Sequence, residues 1–253
     1  MSIQAFPAAI LDALERADAS WQAPLRAALA AMAQAAPAYL PALAADDYLP
    51  TEQRLFAAFA QPLARTRYVL VGEGPYPRAA SATGVCFMDG AVAQLWSPGG
   101  LSKPVNKATS LRNFMKMLLV ADGLLAPDDT GGAALAPLAQ RAGLIQTLPE
   151  LQAALTEQGF LLLNASLVFR PHVAPAVDAR AWLPFLRTVL GALAEAETAP
   201  TLVLWGKIAE QLAKLPEAAR LPQQCSEHPY NLSFIQHSGM QKLFGPMRLL
   251  RSH

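Results

Sequence analysis

Three short apolar runs, each stopped by a glycine or an asparagine, constrain this chain more than any other feature. Tyr68-Val69-Leu70-Val71 ends at Gly72, Phe160-Leu161-Leu162-Leu163 at Asn164, and Thr201-Leu202-Val203-Leu204-Trp205 at Gly206. Short runs of this kind, without polar alternation, suit strands buried on both faces. Helix-like stretches over 110–120, 149–157, 178–196 and 207–215 separate them. Apolar strands alternating with helices predict an α/β fold with a parallel sheet covered on both sides. Ligands of such sheets bind beyond the carboxyl ends of the strands. That rule directs attention to Gly72–Tyr76, Asn164–Arg170 and the loop after Gly206.

Composition bounds the rest. The 253 residues suit one large domain, and no domain boundary is evident over 1–253. Residues 1–45 form an Ala-rich helical part, with Ile10, Leu11 and Leu14 on one face and Pro24, Pro37 and Pro41 as punctuation. Thr51 is expected to open a helix carrying Leu55, Phe56 and Phe59. Segment 126–147 reads as an insertion with a short helix. No stretch of roughly 18 apolar residues indicates a membrane span. The acidic residues near the N-terminus give no signal-peptide pattern, so a cytoplasmic monomer with no membrane partner is expected. Two cysteines, Cys86 and Cys225, exclude a disulfide framework, a four-thiolate zinc site and a thiolate-held iron–sulfur cluster, and neither metal nor cofactor is expected.

Four motifs carry chemistry. Gly72-Glu73-Gly74-Pro75-Tyr76 after the first strand permits a tight turn and close approach of backbone N–H groups to a ligand, although a plain strand-to-loop turn has the same composition. Phe87 follows the glycine-bounded Gly84-Val85-Cys86, as a core residue or a stacking platform. Asn164 ends its strand with a donor and an acceptor, the pair that matches a nucleobase edge; singly, it also reads as a turn residue. His228-Pro229-Tyr230-Asn231-Leu232-Ser233 places an imidazole in a proline-stiffened loop.

In this order and spacing the motifs resemble the uracil-DNA glycosylase superfamily, and most closely its classical uracil-specific branch. GEGPYP (72–77) is similar to the family's water-activating loop, and Phe87 falls eleven residues after Tyr76, as the family's stacking phenylalanine does. Ser110-Leu111-Arg112-Asn113-Phe114-Met115-Lys116 resembles its phosphate-contacting loop and helix. LLLNASLVFR (161–170) resembles the strand with the base-reading asparagine, HPYNLS (228–233) the histidine and wedge loop, and KLFGPMRLL (242–250) the closing strand. The resemblance implies a three-layer αβα sandwich around a short, mainly parallel four-stranded sheet. It also implies a DNA partner bearing uracil or another damaged base, which is flipped from the stack and hydrolysed from its sugar. Phe87 would stack on the base, Asn164 bond its edge, and Tyr76 exclude a thymine methyl, with Gly72 and Gly74 shaping the pocket. His228 would stabilise charge on the departing base, and Leu232 would fill the vacated position. Ser81, Ser110 and Ser233 would grip flanking phosphates through hydroxyls or backbone N–H groups.

One position departs from the pattern. The family's catalytic aspartate directly precedes Pro-Tyr, and here that residue is Gly74, which can neither orient a water nor stabilise a cationic sugar. Glu73 precedes it, and neighbours on an extended segment point to opposite sides. Two readings stay open: Glu73 swings in and catalysis is slow or rewired, or the protein binds DNA without cutting it. Pro77 and Tyr230-Asn231 also stand where the family has histidine and Ser-Pro. The net charge of +1 argues against a basic coat, yet it hides a basic region. Residues 77–121 carry five bases against one acid, and 1–66 carry six acids against four bases.

Overall fold

The computed structural model describes residues 6–252, so the ends of the N-terminal helical part (1–5) and of the chain (His253) lie outside the described residues. The chain forms two compact units. The first runs up to Asp89 and adds Gly159–Val203 and Ile208–Gln223; the second comprises Gly90–Gln158, Leu204–Lys207 and the chain from Gln224 onward.

The three apolar runs are strands, as their burial requires. They are β1 (Tyr68–Gly72), β4 (Phe160–Asn164) and β5 (Thr201–Trp205), with a two-residue ribbon of β2 (Trp96–Ser97) and β3 (Gly100–Leu101) between the first two. A sixth strand, β6 (Gln223–Ser226), completes a parallel four-stranded sheet of order β4-β1-β5-β6, flanked by helices. In β1 and β4 the register pairs Tyr68 with Phe160 and ends on Gly72 opposite Asn164. The two residues singled out at the strand ends are therefore neighbours across one ladder.

In the first unit, helix Gln22–Ala35 lies along helix Pro175–Ala194, where small alanines permit close packing. Trp21, Phe56, Phe59, Trp182 and Phe185 form an aromatic core beside them, with Trp21 and Phe59 edge to face at 4.9 Å. In the second unit Phe114, Trp205, Phe234 and Phe244 form a separate cluster, their centroids 5.1–5.5 Å apart at the closest pairs. The 126–147 segment carries helix Gly132–Ala139, which packs on β3, and Leu144 bridges to Arg251.

Two expectations are corrected. No α-helix opens at Thr51: Glu52 and Gln53 take left-handed backbone angles (φ 61° and 56°), and two short 3-10 turns, Ala57–Phe59 and Leu63–Arg65, follow before the first strand. Leu55, Phe56 and Phe59 are buried nonetheless, so an irregular segment fills the core with a helix-like set of side chains. The closing strand is Gln223–Ser226 and not 242–250. Met240 and Phe244 instead bury one side of helix Ser238–Phe244, followed by a 3-10 turn at Gly245–Met247. A four-residue spacing of large apolar side chains is a helical period, and packing honours it.

Candidate functional site

In the first unit the expected pocket residues gather at the ends of β1 and β4. Backbone bonds clasp the two loops: Ala165 N–H donates to Gly72 O (2.8 Å) and Ser166 N–H to Glu73 O (3.1 Å). A Cβ on residue 72 would stand 2.9 Å from both Asn164 Oδ1 and Cys86 Sγ, so glycine is required for these three groups to meet. Asn164 is only 4% exposed, and its side-chain amide makes no hydrogen bond among the described residues. The amide is not among the sealed side-chain groups without a partner, so it keeps an opening to solvent through which a ligand edge can take the place of water.

Around this amide, Cys86 N–H donates to Leu162 O (3.1 Å), holding its loop to β4. Burial pushes the Cys86 thiol up to about 12, against a Gly72 backbone N–H that favours the thiolate, so Cys86 is a neutral filler. Burial also raises the Tyr76 phenol, with Cys86 and Asp89 adding to the effect, so Tyr76 is a neutral ring and hydroxyl. Phe87 sits at φ 67°, an outlier for a bulky residue, of the kind that costs about 1–3 kcal/mol and clusters at functional sites. The Thr83 hydroxyl braces this loop, donating to Val85 O (3.2 Å) and Met88 O (3.0 Å). Gly84 (φ 81°) passes so close to Arg54 O that no side chain fits.

Gly74 differs from Gly72. The nearest atoms to a Cβ there are Ser166 O at 3.6 Å and Ser166 Cβ at 3.9 Å, ordinary contacts that leave room for a side chain. Glu73 is exposed, and its carboxylate makes no hydrogen bond or ion pair among the described residues. Ser81 departs from its expected role: it is fully buried, with no partner for its hydroxyl among the described residues. A hydroxyl enclosed in this way does not reach a phosphate, and the Ser81 N–H is spent on Arg78 O (3.0 Å).

The second unit holds the histidine loop. Gly206 turns the chain after β5 at φ 64°, and its N–H donates to Ser226 O (2.9 Å); a Cβ there would lie 2.9 Å from His228 Cβ. Tyr230 N–H donates to His228 Nδ1 (3.1 Å), which leaves the ring proton on Nε2 and makes the imidazole a neutral donor. Leu232 is 69% exposed at the start of a 3-10 turn, with Ser233 exposed beside it. Ser110 is half-buried in the first turn of helix Thr109–Ala121.

Sequence reasoning gave Asn113 no role. It is fully buried on that helix and donates through Nδ2 to Pro229 O at 2.8 Å, with Tyr230 O and Asn231 O at 3.3 and 3.4 Å. One amide thus faces three consecutive carbonyls of the histidine loop, with Pro229 O the nearest. The available signal was an asparagine on the buried face that also carries Phe114 and Met117, since such a group must find a partner. Among the described residues, no cluster of three or more His, Cys, Asp or Glu side chains is placed to hold a metal, and no helix is long and apolar enough to cross a membrane.

No family model matches the chain. Among curated proteins, it is 30% identical over 199 residues to the uracil-DNA glycosylase of Corynebacterium glutamicum, spanning 76% of this chain and 72% of that relative. It is 32% identical over 190 residues to uracil-DNA glycosylase 1 of Streptomyces avermitilis, spanning 75% and 70%. Among solved structures, UNG from Nitratifractor salsuginis superimposes with a TM-score of 0.89 at 41% identity over 96% of each chain.

Proposed function

The chain belongs to the uracil-DNA glycosylase family, and from that premise we propose that it excises uracil from DNA with a rewired water-activating loop. The observation that carries the reading is Asn164, a nearly buried amide with donor and acceptor both unspent beside Gly72 and Cys86. Uracil offers the complementary edge. Phe87 supplies the stacking face, and the neutral Tyr76 ring closes the position of a thymine methyl. In the reaction a water oxygen bonds to the sugar C1′ while the bond from C1′ to the base nitrogen breaks. The bonding pair leaves with the base, and the proton that the attacking water sheds passes to the Glu73 carboxylate or to solvent. His228, a neutral Nε2–H donor, stabilises that charge, a contribution of about 3–4 kcal/mol for one well-aimed donor.

What the loop lacks is a carboxylate at Gly74. Glu73, exposed and unbonded among the described residues, is the carboxylate that the loop itself offers for orienting the water. Leu232 enters the vacated position, and Ser110 and Ser233 contact phosphates. The reading needs no second copy and no membrane, and it places the protein in the compartment that holds DNA.

The test is uracil release from single- and double-stranded DNA, scored by alkaline cleavage of the abasic product. Slow release is expected from the wild type. Gly74→Asp, for which the loop has room, is expected to raise the rate at least about tenfold, and Glu73→Gln to abolish the residual activity. Absence of release by both the wild type and Gly74→Asp overturns the reading. Salt-sensitive DNA binding in that case would identify a family member that binds without cutting.

A further inference from the structure

We propose that Tyr230 is a second wedge, which stacks on the base pair beside the vacated position so that the duplex is held by an aromatic and an aliphatic group together. The inference rests on the glycosylase reading and adds to it a residue that sets preference for duplex over single-stranded DNA.

Tyr230 is 67% exposed and Leu232 69%, two residues apart on one loop. Single exposed apolar residues are ordinary, but this pair is not carried on slack chain. Tyr230 N–H is spent on His228 Nδ1, its carbonyl faces Asn113 Nδ2 at 3.3 Å, and Asn231 N–H donates to His228 O at 2.9 Å. Leu232 then opens a 3-10 turn whose Phe234 and Ile235 are buried. The backbone is therefore fixed while both side chains project, and the Tyr230 hydroxyl has no hydrogen-bond partner among the described residues. A preorganised apolar group loses little freedom on binding.

The chemistry of the same unit selects a nucleobase as the occupant. Its residues include nine Lys and Arg against six Asp and Glu. Lys103, Lys107, Lys116 and Lys242 make no ion pair among the described residues. A unit that carries both an exposed aromatic ring and a surplus of cations suits stacked bases carried on phosphates. Stacking of one base on an aromatic side chain changes affinity roughly five- to a hundredfold. A duplex that has lost one base from its stack gains most from a replacement; a single strand can rearrange around its loss.

The experiment measures fluorescence anisotropy with a duplex bearing a tetrahydrofuran abasic analogue, and with the same strand alone. Neither substrate is cut, so the readout does not depend on turnover. Tyr230→Ser is expected to weaken duplex binding about tenfold more than single-strand binding, while Tyr230→Phe stays within about twofold of the wild type. Equal weakening of both substrates by Tyr230→Ser, or no weakening, overturns the proposal, as does a Tyr230→Phe variant as weak as Tyr230→Ser. Wild-type protein that binds neither DNA overturns the glycosylase reading itself, a result distinct from wild-type binding that Tyr230→Ser leaves unchanged. Thermal midpoints of both variants, expected to match the wild type, verify that the exposed substitutions leave the fold intact.

Discussion

A close approach of backbone and side chains brings Gly72, Cys86 and Asn164 together. Because a Cβ at position 72 would lie 2.9 Å from both the thiol and the amide oxygen, Gly72→Ala must displace both of them or the backbone between. Overpacking of this kind typically costs about 1–3 kcal/mol. Uracil release by Gly72→Ala is expected to fall by more than tenfold, with the thermal midpoint lowered, whereas Gly74→Ala, which meets only ordinary contacts, keeps the wild-type midpoint. The thiols provide a check on the same packing. Cys86 is buried and held neutral, with its pKa pushed up to about 12, while Cys225 is exposed. A disulfide reagent at pH 8 is expected to titrate one thiol in the native protein and two after denaturation. Two fast native thiols would show that the Cys86 side of the pocket opens freely.

At the scale of elements, the three principal strands were legible because burial on both faces leaves an unbroken apolar run, and no other local structure needs one so short. The irregular segment after Thr51 was not, since Leu55, Phe56 and Phe59 fill the same core as helical side chains would, while Glu52 and Gln53 turn the backbone. β6 was hidden for the opposite reason: Gln223–Ser226 is polar and mostly uncovered, so no apolar pattern marks it. The loop after β4 is secured by a group the sequence did not flag. Arg170 donates to both oxygens of buried Asp178 (2.6 and 3.2 Å) and to Asp46 (3.0 Å). Removing one partner of a buried pair leaves a charge uncompensated, so Arg170→Ala is expected to cost about 3–5 kcal/mol in denaturant unfolding. Arg187→Ala breaks a more exposed pair with Glu217 and should cost no more than about 1 kcal/mol. The Arg170 hydrogen bond, helped by His172 and the Asp47 N–H, holds the Asp46 carboxyl below its ordinary value despite desolvation. A depressed carboxyl stabilises the fold above the unfolded pKa of about 3.9 and loses that contribution as pH falls through its lower folded value. The stability difference between wild type and Asp46→Asn should therefore be present at pH 7 and vanish in strong acid.

For the molecule as a whole, a net charge of +1 conceals an asymmetry between its units. The second unit holds nine bases and six acids, while the first holds eleven bases and thirteen acids. Regional counts along the chain foreshadowed this division, but they could not tell which cations are already spent. Arg251 bonds Asp122 at 2.6 Å with Arg248 at 3.9 Å, and Arg78 lies 3.7 Å from Asp89, so these three are partly neutralised within the fold. Lys103 and Lys107, exposed on helix Lys103–Lys107, have no such partners among the described residues and are the better candidates for phosphates. Each phosphate neutralised on duplex DNA contributes about −0.9 to the slope of log affinity against log salt. With roughly four contacts, affinity for duplex should fall about a hundredfold between 50 and 200 mM salt. Lys103→Gln combined with Lys107→Gln should make that slope shallower by roughly two while leaving the ratio of duplex to single-strand binding at fixed salt nearly unchanged. An unaltered slope would remove both lysines from the DNA path. A changed ratio would mean that they discriminate between the two forms of DNA, beyond attracting phosphate.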